Sequence, residues 1–142
     1  MENVKLLALF AENKIGQLAR VTDLLAEANV NIRWVATTGT GVFGVVKLLV
    51  DHHDVAYAQL KHNGVPVSAL DVLPIEVEDR PGGLRQVAVC LAQQQINVEN
   101  ASGFVANHRA VLLVEVNDVA AAEKALQAEG LRVLTRAEVL AL

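Results

Sequence analysis

The chain has 142 residues, room for one ordinary domain or two very small ones. Apolar residues make up 53% and charged residues 20%, so a buried core is expected and disorder is not. A net charge of −4 argues against the clustered basic surface of a nucleic-acid binder, and the single cysteine, Cys90, excludes an internal disulfide and a cysteine-rich metal site. One thiol and no disulfide fit a reducing compartment, so a cytoplasmic location is expected. No apolar run approaches the roughly 20 residues of a membrane span, and Leu6–Ala11 is too short for a signal segment.

The chain matches itself at an offset of 66 residues without a gap. Glu12 pairs with Glu78, Gly16 with Gly82, Leu18 with Leu84, Leu25 with Leu91, Asn31 with Asn97, Leu60 with Leu126, and Gly64 with Gly130. This is a tandem duplication, and its units are read as residues 1–70 and 71–142. In chain order, Val4–Phe10 is a short apolar strand with the twin Val72–Val77. A turn follows at Asn13-Lys14-Ile15-Gly16 and at Asp79-Arg80-Pro81-Gly82-Gly83. Leu18, Val21, Thr22 and Leu25 then recur at helical spacing, as do Leu84, Val87, Ala88 and Leu91.

Second strands are expected at Asn31–Thr37 and Asn97–Gly103, and third strands at Val45–Val50 and Val111–Val116. Between them, Thr38-Gly39-Thr40-Gly41 is read as a hairpin turn; it lacks the Lys-Ser/Thr of a phosphate loop. Asp54 and Asp118 are expected to N-cap second helices that end at Gly64 and Gly130. Last strands follow near Val65–Ser68 and Leu131–Leu134. Each unit therefore reads β-α-β-β-α-β, an α+β ferredoxin-like fold with an antiparallel sheet and both helices on one face. No Gly/Ser- or Pro-rich linker divides the units, which predicts docked rather than tethered copies. On the sheet face away from the helices, Val45, Leu49, Val111 and Leu113 form a second apolar surface, which predicts association into a homodimer.

The stretches Leu9-Phe10-Ala11-Glu12-Asn13-Lys14-Ile15-Gly16-Gln17-Leu18 and Ile75-Glu76-Val77-Glu78-Asp79-Arg80-Pro81-Gly82-Gly83-Leu84 resemble the ACT domain family of small-molecule-binding regulatory modules. Both look like that family's strand, Asn/Asp-x-Pro-Gly-x-Leu turn and helix. Val30-Asn31-Ile32 and Ile96-Asn97-Val98 resemble its aliphatic-Asn-aliphatic element. The first copy departs at Ile15, where the family usually has Pro. The resemblance covers nearly the whole chain and is similar to stand-alone tandem ACT proteins that bind amino acids. It implies effector contacts at Asn13 and Asn31, with Asp79 and Asn97 as their twins. A further family contact falls on Ala11 and Val77, which have no polar side chain.

The turn's chemistry can also be argued from its own residues. A strand that turns through Gly16 or Gly82 into a helix exposes the first helical N–H groups, which favour a carboxylate. Glycine lets a ligand approach the backbone. Asn13 both donates and accepts, whereas Asp79 only accepts and suits an ammonium; as a charged partner it outranks Asn13. These residues also sit where any helix takes a cap, and the residues alone leave capping and ligand binding both open.

Other candidates carry less. His52-His53-Asp54 lacks further ligands at metal spacing. Cys90 falls on the apolar side of its helix and reads as a structural thiol. The aromatic residues needed for RNA stacking are missing, and no Ser/His/Asp or paired-carboxylate site can be justified. Trp34, three residues after Asn31, reads as sheet packing with a ligand-side role open.

The expected function is a non-catalytic, allosteric sensor of a small amino acid, bound at an interface between ACT-like units and needing no cofactor. Two alternatives stand. One is a regulatory subunit acting in trans on an amino-acid biosynthetic enzyme, resembling acetolactate synthase small subunits. The other is a ligand-free structural oligomerisation module.

Overall fold

The computed structural model describes residues 3–142, with the backbone alone for Thr40. The elements are β1 (Val4–Glu12), α1 (Gln17–Glu27), β2 (Ile32–Thr40), β3 (Phe43–Val50), α2 (His53–His62), β4 (Val67–Val77), α3 (Gly83–Gln93), β5 (Val98–Ala106), β6 (Arg109–Val116), α4 (Val119–Ala128), β7 (Arg132–Val133) and α5 (Arg136–Leu140). They group into two compact units, one of Lys5–Leu70 and one made mainly of Asp71–Leu142, here the first and second copies. Among the described residues, no helix is long and apolar enough to cross a membrane.

In the first copy β3 lies between β2 and β1, antiparallel to both. Alternation sends Val46, Leu48 and Val50 of β3 to the helix side, where they meet Leu7 and Leu9 of β1, Val21 and Leu25 of α1, and Ala56 and Leu60 of α2. The second copy repeats this: β6 pairs with β5 and β4, and Ile75, Val87, Leu91, Val114, Ala122 and Leu126 form its core. Burying a Leu or Val contributes about 1.5–3 kcal/mol, so each unit carries a true core despite its size. The fold is α+β, built of ferredoxin-like βαββαβ repeats with helices on one sheet face.

Helix ends follow the sequence closely. After α2, Gly64 N–H donates to Lys61 O (3.1 Å) and Val65 N–H to Leu60 O (3.0 Å), the paired bonds of a Schellman motif. Gly130 and Leu131 repeat it on Gln127 and Leu126 after α4. Asp118 caps α4, accepting from Ala121 N–H at 3.0 Å.

Several expectations need correction. Asp54 does not cap α2: the N-cap is His52, without a side-chain bond, and Asp54 lies in the first turn, where its charge suits the helix dipole. The last strand near Val65–Ser68 and the next strand Val72–Val77 are one continuous strand, β4. In the first copy a single bond, Phe10 N–H to Pro66 O (3.1 Å), stands at the place where β7 pairs with β4 in the second copy. Helix α5 is an addition that the reading missed. Its start is a capping box: Glu138 N–H donates to Thr135 Oγ1 at 3.2 Å, and Thr135 N–H to Glu138 Oε2 at 2.7 Å.

The apolar face away from the helices is also not what it promised. Leu49, Val111 and Leu113 are 3%, 1% and 2% exposed and offer no free surface, and of the four only Val45 is half-buried. Half-buried Trp34 sits opposite Leu49 on the neighbouring strand.

Candidate functional site

The turn between β1 and α1 is shaped by the backbone. Asn13 N–H donates to Val42 O (2.7 Å), Lys14 N–H to Glu12 O (2.9 Å) and Arg20 N–H to Gly16 O (3.0 Å). Gly16 is the N-cap of α1 at φ 91°, and Gly82 is the N-cap of α3 at φ 93°. That left-handed conformation favours glycine, which explains why both copies have it there. Neither helix has a side-chain cap, so Asn13 and Asp79 are not capping residues. Among the described residues, the Leu18 and Ala19 N–H groups find no backbone acceptor.

Asn13 instead leans on the β2–β3 hairpin, donating from Nδ2 to Gly41 O at 3.1 Å. That uses one of its two amide hydrogens; the other and Oδ1 have no protein partner among the described residues. Gly39 leaves room for this approach: a Cβ there would lie 2.8 Å from Asn13 Nδ2 and push the amide aside. Gly39 lies within β2, not in the turn, and faces Gly44 directly across the ladder. Two facing glycines leave a gap in the helix side of the sheet. The result is a cleft of about 230 Å³ between this hairpin and the start of α1. Ala11, Leu18, Val21 and Val46 give it apolar walls, and Asn13, Gln17 and Thr37 stand among its polar groups. At its rim Lys14 and Glu12 pair at 3.1 Å and neutralise each other.

The other candidate residues lie as follows. Ile15 is fully exposed in the turn and does not line the cleft. Asn31 sits at the far end of β2, eight residues from Gly39, where its N–H donates to Asp51 Oδ1 (2.9 Å) and its carbonyl accepts from Asp51 N–H (3.2 Å). At about 3.3 Å per strand residue, Asn31 cannot reach the same ligand as Asn13 within one copy. Asp79, Gly82 and Asn97 occupy the matching places in the second copy, all exposed. There the Gly39–Gly44 pair is replaced by Val105 opposite Ala110. Leu112 also reaches over Gly103, its Cδ2 3.2 Å from where a Cβ would stand. The matched gap therefore carries side chains.

Gly39, Gly44 and Thr37 were missed as site residues. The signal was present in the alignment at offset 66, where two glycines of one copy face a valine and an alanine of the other. Cys90 is buried, its Sγ donating to Ala125 O at 3.5 Å; burial, then the charge of Glu129, pushes its thiol pKa up. That suits a structural thiol.

The chain is similar to a protein of Bacteroides thetaiotaomicron at 28% identity, with 99% of this chain and 97% of that one covered and a TM-score of 0.92. It shares its fold with the regulatory subunit of aspartate kinase from Thermus thermophilus (16% identity, 89% and 90% covered, TM-score 0.65). The same holds for that subunit from Thermus flavus (15% identity, 89% and 92% covered, TM-score 0.60). No curated protein matches the chain significantly by sequence. The family model of the ACT domain pair matches residues 2–141, and the chain belongs to that family.

Proposed function

We propose that the protein is a non-catalytic regulatory sensor that binds a small amino acid in the first copy, in the cleft beside Asn13. The observation that carries this reading is the cleft itself: an ACT strand–turn–helix whose Asn13 keeps a donor and an acceptor open, beside free helix N–H groups. In this reading the N–H groups after Gly16 hold the ligand carboxylate and Asn13 Oδ1 accepts from its ammonium. Gly16 leaves the space beside these N–H groups open, since nothing lies within 4 Å of where its Cβ would stand, and Ile15 has no side-chain role.

The same proposal treats residues 1–70 and 71–142 as the two ACT-like domains. It gives Asp79 and Gly82 a second, weaker position, because Val105 and Ala110 stand where the first copy has glycines. Asn31 and Asn97 contribute only where a further ACT unit completes a site. A homodimer supplies such units, and a monomeric mass in light scattering at tens of micromolar would contradict it. Regulation follows by linkage: a ligand that prefers one packing of the protein raises that packing's population. An enzyme of amino-acid metabolism is the partner that would read the change.

A thermal-shift panel of the common amino acids tests the reading. A ligand confined to the native state at about 100 times its Kd adds roughly 2.7 kcal/mol, a clear rise in midpoint. Flat midpoints at millimolar concentrations of every amino acid would leave the ligand-free oligomerisation module standing instead.

A further inference from the structure

The walls of the first copy's cleft are uneven in chemistry. Its depth is aliphatic: Val21 and Val46 are 2% and 9% exposed and form the floor, with Ala11 and Leu18 beside them. Asn13 and Gln17 line it from the turn and the start of α1, and Thr37 lies opposite Val46 across the ladder. The charged groups near it, Glu12 and Lys14, are exposed and paired with each other at 3.1 Å. A charged ligand side chain would thus enter a largely apolar recess without a free counter-charge, and a hydroxyl would find only the exposed Thr37 beside Val46. The volume, about 230 Å³, falls below the roughly 300–1,000 Å³ of drug-sized pockets, which suits a single metabolite rather than a peptide.

We propose that this cleft selects a free amino acid with an aliphatic side chain of about valine-to-leucine size, its head group at Asn13 and its side chain against Val21 and Val46. The inference rests on the amino-acid reading above and adds the class of ligand. It also makes Gly39 a specificity-determining residue, since a side chain there would meet the Asn13 amide that holds the head group. The second copy carries Val105 there, so a valine fits this place in the ladder.

The test is calorimetric titration of the full chain with valine, leucine and isoleucine, against serine, aspartate and lysine. A methylene in an apolar pocket is worth about 10-fold or more, so at least one aliphatic amino acid should bind at least about 10-fold tighter than serine, aspartate or lysine. Gly39→Val should then abolish binding with an unchanged melting curve. Gly39→Ala, whose Cβ meets only the movable end of Asn13, should weaken it by about 10-fold, and this second variant covers the case in which valine disturbs the hairpin. Serine, aspartate or lysine binding as tightly as leucine would overturn the aliphatic class while leaving the sensor reading intact. Aliphatic binding unaffected by both variants would overturn the site. No heat with any amino acid would overturn the sensor reading itself.

Discussion

The two copies share their turns, their core positions and their helix ends, and they differ on the two sides of the β1–α1 turn. On one side, Gly39 faces Gly44 in the first copy and Val105 faces Ala110 in the second. On the other side, the first copy exposes Phe10 and Phe43, 56% and 63%, around a recess of about 300 Å³ that also includes Pro66. The second copy puts Glu76, Arg109 and Arg132 at those three places. There Arg109 Nε donates to Glu76 Oε2 at 3.1 Å, Arg132 Nη1 reaches the same oxygen at 3.3 Å, and Arg132 also pairs with Glu138 of α5. One copy is open on both sides of its turn, and the other is filled on one and clamped by charge on the other. Duplication has preserved the turns, core positions and helix ends and let the residues beside the turn diverge.

The largest expected effect separates the two turns themselves. In the second copy a Cβ at Gly83 would clash with the backbone carbonyl of Glu78, whereas the matched residue of the first copy is Gln17, with a side chain. Gly83→Ala should destabilise the protein at the upper end of the roughly 1–3 kcal/mol typical of overpacking, and Gln17→Ala should be nearly neutral. Urea midpoints of the two variants measure the contrast; equal midpoints would mean that the turns are equivalent after all. Next is ligand binding. Asn13→Ala should weaken binding by about 1–2 kcal/mol, the usual cost of a lost polar contact. Charge alone ranks Asp79 above Asn13, but the filled hairpin beside Asp79 reverses that ranking, so Asp79→Ala should cost less. Calorimetry on the folded variants decides the order.

A smaller effect distinguishes the second helices. Asp118→Ala removes a side-chain cap from α4 and should cost about 1 kcal/mol. Asp54→Ala removes only a favourable dipole contact from α2, about 0.3–1 kcal/mol. Thermal melts should keep them in that sequence. The smallest effect is the charge clamp. The Arg109 hydrogen bond, then the charges of Arg109 and Arg132, hold the Glu76 carboxyl below its ordinary value of 4.5. In the unfolded chain Glu76 returns to that value and binds its proton more tightly than in the fold. Its contribution is therefore full above pH 4.5 and is lost as pH falls from there through the lowered folded value. Glu76→Gln should lose stability near neutral pH and show a shallower fall in acid, read from urea midpoints along a pH series.

Much of this architecture was legible before the structure. Val46, Leu48 and Val50 face the core because strand alternation demands it, and Gly64 and Gly130 end helices because their motif needs a left-handed residue. What escaped had physical causes. Strand ends moved by two or three residues because ladder partners extend them: Gly39 reads as a turn residue by type but pairs with Gly44. Leu49, Val111 and Leu113 read as a surface because alternation tells face from face, not which faces are covered. Helix α5 has only five residues, too few for periodicity, although Thr135 and Glu138 carried its capping signature. The cleft was hidden because it is made by missing side chains, and only the comparison of Gly39 and Gly44 with Val105 and Ala110 reveals it.

The central claim is that an amino acid binds beside Asn13 in the first copy. The most direct measurement follows backbone amide resonances of the full chain during titration with leucine. The largest shifts should fall on Asn13–Ala19 and Thr37–Gly44, with their twins Asp79–Arg85 and Gly103–Ala110 moving less. Shifts confined to the second turn, or no shifts in either copy at saturating amino acid, would contradict it.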